Sequence, residues 1–322
     1  MALLFSTSPH VRSNNTTKKV MLNVALALIP ACVAGVVYFG YLAALNIIVA
    51  VVSALASEIF YLKCMGGNFK EIISSLDYSS LVTGLIIALI IPASAHLYIP
   101  ALASAFAIIV AKMLFGGTGQ NFVNPAAAGR IFAFISFTTV MNSFVLPTVS
   151  VINDSVITGA TSLQSFLSDG SSLSTLDLFL GTGVAGCIGE TCKVAILLGA
   201  IYLAIRGIIK IWLPLLSVAF AGLTAVLLNG LDFSVFLPAV LSGGFLFGAF
   251  FMATDYVTNP TTTSGCIVFF IAYGVLTSLL RHFTGYETAS FAILLLNTLT
   301  PLIDKLPHGK PFGYVKPKKE AK

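Results

Sequence analysis

The chain has 322 residues, of which 57% are hydrophobic and 9% are charged, and its formal net charge at pH 7 is +5. Soluble domains carry roughly a quarter charged residues, so this composition excludes a soluble globular protein and indicates one that is solvated largely by lipid. The positive charge does not indicate nucleic-acid binding, because the basic residues lie at the ends of apolar segments without interleaved aromatic residues.

The apolar segments are continuous rather than alternating, which favours helices over a β-barrel, since a helix satisfies its own backbone in hydrocarbon. We therefore predict an all-α polytopic membrane protein that forms a single membrane domain over residues 1–322. A span needs about 20 apolar residues, and about ten segments approach that length. In chain order they are 20–40, 43–63, 80–96, 98–114, 125–139, 179–205, 211–229, 235–254, 266–281 and 289–304.

The distribution of lysine and arginine predicts the orientation of these spans. If the N-terminus is cytoplasmic, all basic residues except Lys193 and Arg281 fall in cytoplasmic segments, as the positive-inside rule requires. The stretch 131–192 contains no basic residue, and its Ser/Thr-rich part, residues 140–178, is therefore predicted to be an extracytoplasmic loop. Both termini, including the short tail 305–322, are predicted to be cytoplasmic.

Two polar segments interrupt the predicted spans. Residues 116–125 read Gly-Gly-Thr-Gly-Gln-Asn-Phe-Val-Asn-Pro, and residues 255–265 read Asp-Tyr-Val-Thr-Asn-Pro-Thr-Thr-Thr-Ser-Gly. Asn124 and Asn259 each precede a proline, and Asn as a cap with Pro at the first helical position is a good helix start. The shared pattern predicts either two broken or re-entrant helices related by a weak internal repeat, as in transporter folds, or two unrelated loop-to-helix junctions.

Several ionisable residues lie within or beside the apolar segments, where such groups are expensive and often functional. Glu190 is consistent with an ion or flavin site, and equally with a structural pair to Lys193. Asp255 is consistent with a cap of its turn, or with contacts to a flavin or to a hard cation such as Na⁺. Arg130 is consistent with a phosphate or partner contact, or with a snorkelling cytoplasmic anchor. The five cysteines are scattered and predict neither a disulfide framework nor a metal site.

The predicted extracytoplasmic loop contains one string that points to chemistry. Thr161 follows the small residues Gly159 and Ala160, and Thr158 and Asp154 stand just upstream. Small neighbours allow an enzyme or a bulky ligand to approach a hydroxyl closely. Thr161 is therefore either a site of covalent modification or part of an ordinary polar turn.

The string Thr-Gly-Ala-Thr at 158–161 resembles the flavinylation motif of the RnfD/NqrB family, in which a flavin transferase joins FMN through a phosphoester to the last threonine. The resemblance runs nearly end to end. The further blocks that carry it, in order, are 8–10, 116–126, 189–191, 251–255, 259–262, 290–297 and 301–304. The chain departs from the family where Ser is usual at the position of Thr158. Asp154 also lies seven residues before Thr161, whereas the family usually places an Asp six before.

The resemblance implies an electron-relay subunit in a bacterial cytoplasmic membrane, closest to the D subunit of the Rnf complex, a ferredoxin:NAD⁺ oxidoreductase coupled to Na⁺ or H⁺ translocation. The alternatives are the B subunit of the Na⁺-translocating NADH:quinone reductase, or a solute channel or transporter without a cofactor. The resemblance also implies other Rnf subunits and a flavin transferase as partners. This chain has no dinucleotide fingerprint and no iron–sulfur cysteine cluster, so no complete active site is expected in it.

The resemblance further implies two flavins. FMN would be covalently attached to Thr161, within the motif formed by Asp154, Thr158, Gly159 and Ala160, and riboflavin would bind non-covalently among the helices. The candidate residues for an ion pathway or for the second flavin are Glu190, Asp255, Asn124 and Asn259.

Overall fold

The computed structural model describes residues 16–147 and 174–305, and in these residues the backbone is helical, without strands. The predicted all-α class is therefore confirmed. The α-helices are α1 (Thr17–Cys64), α2 (Phe69–Ser75), α3 (Ser79–Leu89), α4 (Tyr98–Phe106), α5 (Pro125–Ser136), α6 (Thr138–Met141), α7 (Thr175–Leu180), α8 (Lys193–Ile205), α9 (Trp212–Leu228), α10 (Phe236–Leu241), α11 (Phe245–Phe247), α12 (Thr263–Thr284) and α13 (Ala289–Ile303). Two π-helices (Ala107–Lys112 and Gly248–Met252) and two 3₁₀-helices (Met113–Phe115 and Phe233–Val235) complete the described elements.

The first element is too long to be one membrane crossing. Its 48 residues would extend about 72 Å as a straight helix, more than twice the roughly 30 Å of bilayer hydrocarbon. Gly40 interrupts it with φ 70° and ψ −152°, a conformation that glycine adopts at little steric cost. The element is thus two helices, divided where the sequence separates the predicted spans 20–40 and 43–63.

Length and apolar character allow three of the described helical stretches to cross a membrane. They are Thr17–Cys64, Tyr98–Phe115 and Thr263–Thr284. A fourth is added if Phe233–Leu241 and Phe245–Met252, which are bent by 67° at their junction, are counted as one span. The structure therefore supports a polytopic helical membrane protein, but it supports neither the predicted count of ten spans nor the predicted internal repeat. Five of the predicted spans correspond to shorter apolar helices of 10–17 residues.

The predicted continuous span 179–205 is wrong. Helix α7 ends at Leu180 and α8 begins at Lys193, and the residues between them are not helical. This segment packs against the end of α3, where Gly189 N donates to Leu89 O at 2.7 Å. A Cβ at Gly189 would lie 2.6 Å from Leu89 Cβ, so glycine is needed for this approach. Its apolar residues are buried by protein rather than by lipid, and hydropathy cannot separate these two cases.

The first and last described residues lie at one end of the helices, and the described residues that precede segment 148–173 lie at the other. Thr16 lines a surface cleft together with Asp77, and Asp304 accepts from Thr261 N at 2.9 Å, just before α12 begins. At the far end of α12, Gly285–Glu287 share a cavity with Met141–Phe144, which lead into segment 148–173. Both described ends therefore lie at one face, and Met141–Phe144 lie at the opposite one.

Candidate functional site

The two polar segments that interrupt the helices line one cavity, which we call the Asn-Pro cavity. Asn121 and Asn124 come from the first segment, and Asp255 and Tyr256 come from the second, with Thr254 just before it. The remaining wall is largely apolar and comes from α1, α3, the end of α8 and the second π-helix. The space between its atoms is about 810 Å³, part of it open to the outside. The fold thus combines a polar wall and an apolar wall in one site.

Asn124 joins the two segments. Its Oδ1 accepts from Ala126 N at 2.9 Å and from Ala127 N at 3.2 Å, which caps α5. The helix start predicted from Asn-Pro is therefore confirmed here. Its Nδ2 donates to Met252 O at 3.0 Å, and Met252 is the last residue of the second π-helix. Such helices often occur at functional sites.

Asn259 does not repeat this arrangement. Helix α12 begins at Thr263, and its cap is Thr262, whose Oγ1 accepts from Gly265 N at 3.0 Å. The predicted helix start at Asn259 is therefore wrong, because the chain after Pro260 is first held by the Asp304 carboxylate through the Thr261 backbone. Asn259 Oδ1 is buried and finds no hydrogen-bond partner among the described residues.

Asp255 closes its own turn and also faces the Asn-Pro cavity. Its Oδ1 accepts from Val257 N at 3.3 Å, and its Oδ2 accepts from Thr258 Oγ1 at 3.2 Å. Among the described residues, no lysine or arginine nitrogen lies within ion-pair distance of this carboxylate. The capping interpretation is confirmed, and the carboxylate also lines the cavity.

A buried lysine forms another part of this wall. Lys112 is 2% exposed, and its Nζ donates to Glu58 Oε1 at 2.8 Å, to Ser79 Oγ at 2.6 Å and to Ser80 Oγ at 2.9 Å. These bonds use all three N–H groups of the ammonium. The sequence interpretation of Lys112 as a cytoplasmic flanking residue missed this site. The sequence does contain a signal for this pair, because Glu58 and Lys112 are oppositely charged and each lies within an apolar segment.

Hydrogen bonds continue from this lysine to the surface. Ser79 Oγ donates to Asp77 Oδ1 at 2.5 Å and lies 3.0 Å from Thr118 Oγ1. Asp77 and Thr118 also line the surface cleft near the start of α1. Burial raises the pKa of Asp77, but the hydrogen bonds from Ser79 and Thr118 and the charge of Lys112 outweigh it, so its pKa lies below the ordinary value.

A second cavity lies at the other end of the helices, and we call it the ion-pair cavity. Arg130, Glu190 and Glu287 line it together with the rings of Phe134 and Tyr286. Arg130 Nη1 lies 3.2 Å from Glu190 Oε1, although this contact is not aligned as a hydrogen bond. The interpretation of Arg130 as a snorkelling cytoplasmic anchor is wrong, because only 8% of its side chain is exposed.

The predicted side-chain pair between Glu190 and Lys193 is also wrong. Lys193 Nζ donates instead to two backbone carbonyls, Glu190 O and Gly243 O, the second at 3.1 Å. The carboxylate of Glu190 lies against Gly244, where an added Cβ would overlap it. The lysine therefore joins the two non-helical segments, and the glutamate turns to Arg130.

Charged side chains also provide hydrogen-bond partners for the backbone groups at the break between α10 and α11. Arg281 Nη1 donates to Ala239 O at 3.0 Å, and Nη2 donates to Ser242 O at 3.2 Å and to Glu287 Oε2 at 2.6 Å. Gly244 N donates to Glu287 Oε2 at 3.0 Å. Backbone groups freed by a broken helix need such partners at membrane depth. Part of this charge is therefore structural.

Helix α8 separates the two cavities. Lys193 at its start contacts the break beside the ion-pair cavity, and Leu203 near its end lines the Asn-Pro cavity. Its 13 residues extend about 20 Å. The predicted site residues thus fall into separate groups, with Asn124 and Asp255 at one cavity and Glu190 at the other. Asn259 lines neither of the two.

A sequence profile of the NQR2, RnfD, RnfE family matches residues 4–313. The chain belongs to this family. Its predicted flavinylation motif, from Asp154 to Thr161, lies outside the described residues. Within the described residues, no three His, Cys, Asp or Glu side chains come together as a metal site would require.

Relatives in this family are similar over almost their full length. The D subunit of the Na⁺-translocating ferredoxin:NAD⁺ oxidoreductase complex of Acetobacterium woodii is 40% identical, covering 99% of this chain and 98% of its own. The D subunit of the proton-translocating ferredoxin:NAD⁺ oxidoreductase complex of Clostridium ljungdahlii is 36% identical, covering 96% of this chain and 95% of its own. The D subunit of the ion-translocating oxidoreductase complex of Alcanivorax borkumensis is 34% identical, covering 98% of each.

Proposed function

We propose that this chain is the electron-relay D subunit of a bacterial Rnf-type complex, in which electron transfer from ferredoxin to NAD⁺ is coupled to Na⁺ or H⁺ translocation. The observation that carries the proposal is the full-length similarity to relatives that bear the name of that subunit. Ferredoxin and NAD⁺ would bind other subunits, which are the partners of this chain. The same similarity favours a redox role over a channel or transporter without a cofactor.

The proposed topology follows the positive-inside rule. The face with both described ends and the Asn-Pro cavity is cytoplasmic, and segment 148–173 is extracytoplasmic. Ten crossings result from a count in which α1 contributes two passes, Tyr98–Phe115 and Thr263–Thr284 one each, and the bent pair Phe233–Leu241 and Phe245–Met252 one. The five shorter apolar helices contribute the other five.

FMN is proposed to be attached to Thr161 in the extracytoplasmic segment, within the motif formed by Asp154, Thr158, Gly159 and Ala160. The proposal is supported by the Thr-Gly-Ala-Thr string and by Met141–Phe144, which precede this segment and lie at the face opposite the described ends. A phosphoester bond prevents loss of the cofactor at an exposed site. The attached flavin would supply one-electron redox chemistry, and the protein positions it.

Riboflavin is proposed to bind in the Asn-Pro cavity. The isoalloxazine ring has an apolar dimethylbenzene end and a hydrogen-bonding pyrimidine end, and the cavity has an apolar wall opposite a polar one. Asn121, Thr254 and Asp255 would face the polar edge. Asn124 holds the two segments together through Met252 and so positions the polar wall. The apolar wall excludes water from the ring.

The ion route is proposed to pass between Asp255 at the cytoplasmic face and Glu190 near the extracytoplasmic face. Both carboxylates line cavities, and Asn259 adds a buried amide oxygen without a partner among the described residues, near Asp255 in the chain. Carboxylate and amide oxygens suit a hard cation such as Na⁺, and carboxylates also carry protons.

The test of the covalent flavin is direct. The chain is expressed in a host with the flavin transferase, denatured, run on a gel and inspected for flavin fluorescence. We expect a fluorescent band from the wild type, a dark band from Thr161→Ala, and an unchanged band from Ser162→Ala, the neighbouring hydroxyl. A dark wild-type band contradicts the covalent flavin, and a fluorescent Thr161→Ala band means that a different hydroxyl carries it.

A further inference from the structure

An unbroken series of hydrogen bonds connects the surface cleft to a buried carboxylate beside the Asn-Pro cavity. Asp77 at the cleft accepts from Ser79 at 2.5 Å, Ser79 accepts from Lys112 at 2.6 Å, and Lys112 donates to Glu58 at 2.8 Å. We call these four residues the Asp77–Glu58 chain. Ser79 and Lys112 line the Asn-Pro cavity, so the chain runs along the wall of the proposed flavin site.

The charges around this wall are unequal. Three carboxylates, those of Glu58, Asp77 and Asp255, accompany one buried ammonium, that of Lys112. Tyr256 from the second polar segment also lines the cavity, and Lys18 lines the outer cleft. The side chains of Lys112 and Glu58 are almost fully buried, and charges interact more strongly in the protein interior than in solution. A negative charge that enters the cavity is therefore unfavourable unless a positive charge follows it.

We propose that the Asp77–Glu58 chain delivers one proton from the surface cleft to Glu58 whenever one electron enters the Asn-Pro cavity. This inference rests on the proposed electron-relay function, and the electron comes from a one-electron flavin or iron–sulfur carrier of the same complex. Asp77 takes up one proton from water and passes it to Ser79. Ser79 gives its own hydroxyl proton to Lys112 as Lys112 gives an ammonium proton to Glu58, so that the lysine stays charged. One proton and one electron have then entered the site, and its net charge is unchanged.

The proton must end on Glu58 if the charge of the entering electron is to be balanced. While Glu58 is ionised, it neutralises Lys112, and both groups are almost fully buried. Once Glu58 is protonated, Lys112 is an uncompensated buried cation at the cavity wall, which is costly unless a negative charge lies nearby. The entering electron supplies that charge. The ion pair thus exchanges partners, with Ser79 and Ser80 holding the ammonium in place.

Asp77 acts as the proton collector. Its lowered pKa keeps it ionised at neutral pH, so it holds a proton only in passing and is ready to accept the next one. Its carboxylate lies at the surface cleft and on the hydrogen-bonded chain at the same time. Asp77 therefore controls the rate of proton uptake, whereas Glu58 controls the equilibrium.

The experiment uses the purified complex with both flavins. The midpoint potential of the non-covalent flavin is measured by spectroelectrochemical titration at several pH values, and proton uptake after rapid reduction is followed with a pH-indicator dye. We expect the wild-type potential to fall as pH rises, and Glu58→Gln to make it independent of pH. The covalent flavin should keep its own pH dependence in both proteins.

Asp77→Asn should slow proton uptake by about tenfold or more without changing the midpoint potential. Asp232→Asn, which changes an exposed acid elsewhere, should leave both the rate of proton uptake and the potential unchanged.

A double variant guards against misfolding. Glu58→Gln with Lys112→Gln removes both partners of the buried pair, which costs less than leaving one charge alone, and it should also abolish the pH dependence. Three results would overturn the proton path alone. The first is a wild-type midpoint potential that does not depend on pH, and the second is a pH dependence in Glu58→Gln as large as in the wild type. The third is a pH dependence that is lost in Asp255→Asn and kept in Glu58→Gln. A complex that contains no non-covalent flavin contradicts the proposed function, and the inference falls with it.

Discussion

The Asn-Pro cavity and the ion-pair cavity are both lined by buried charge, yet the charges have different partners. At the ion-pair cavity, Arg281 and Lys193 donate to backbone carbonyls of broken helices, so their charge replaces missing helical hydrogen bonds. At the Asn-Pro cavity, Lys112 donates only to side chains, and the Asp255 carboxylate bonds only within its own turn. The cations that donate to backbone carbonyls, Arg281 and Lys193, support the fold, whereas Lys112, which donates only to side chains, is available for chemistry.

The largest expected effect comes from removing a backbone-bonded cation. Arg281→Met leaves Glu287 as an unpaired buried carboxylate and removes the donors to Ala239 O and Ser242 O. Breaking a buried pair on one side costs about 3–5 kcal/mol, so we expect a large loss of thermal stability in detergent. Arg206→Met, which removes an exposed cation over the Tyr202 ring, should cost far less. Equal losses in the two variants would contradict a structural role for Arg281.

A smaller loss of stability is expected from adding a methyl group at the break between α10 and α11. Gly244→Ala places a methyl group on the Glu190 carboxylate, and overpacking typically costs about 1–3 kcal/mol. Gly186→Ala is the matched control at the same cavity, where the nearest atom to a new Cβ is the Thr191 hydroxyl at 3.3 Å. Thermal unfolding of both variants measures the difference. If Gly244→Ala proves as stable as Gly186→Ala, the Glu190 side chain is not held where the structure has it.

At the Asn-Pro cavity, removing charge should change function more than stability. Asp255→Asn keeps one oxygen that can accept from Val257 N, and its amide N–H can donate to Thr258 Oγ1 in place of the second oxygen. We therefore expect a stability change within about 1 kcal/mol. The ion dependence of electron transfer by the complex should weaken, since the variant loses the carboxylate. Titrating Na⁺ and pH against electron-transfer rate measures this. An unchanged ion dependence would remove Asp255 from the proposed route.

The smallest effect is expected at Asn259. Its side-chain oxygen makes no hydrogen bond among the described residues, so Asn259→Ala removes an unsatisfied group and should change the unfolding temperature little. Asn124→Ala, in contrast, removes a cap worth about 1 kcal/mol and the link to Met252 O. Comparing the two unfolding temperatures tests whether the two Asn-Pro pairs differ as described. A larger loss from Asn259→Ala would reverse that distinction.

Local signals in the sequence predicted part of this structure. The Asn-Pro pair at Asn124 predicts its helix start because capping depends on adjacent residues. Composition together with the continuous apolar segments predicts the all-helical membrane class. The pairs that shape the cavities could not be predicted in this way. Glu58 and Lys112 are 54 residues apart in the chain, and only tertiary packing brings them together. The same limit explains the wrong pairing of Glu190 with Lys193, its sequence neighbour, in place of Arg130.

Asn124 caps helix α5, which carries Arg130 less than two turns later. The rise between them is about 9 Å, and an α-helix of this length behaves as a stiff rod. Because Asn124 is bonded to Met252 O, a shift of the second π-helix moves the base of this rod, and Arg130 at the other cavity moves with it. The two cavities are therefore connected mechanically through the first turns of α5, whatever charge or cofactor passes between them.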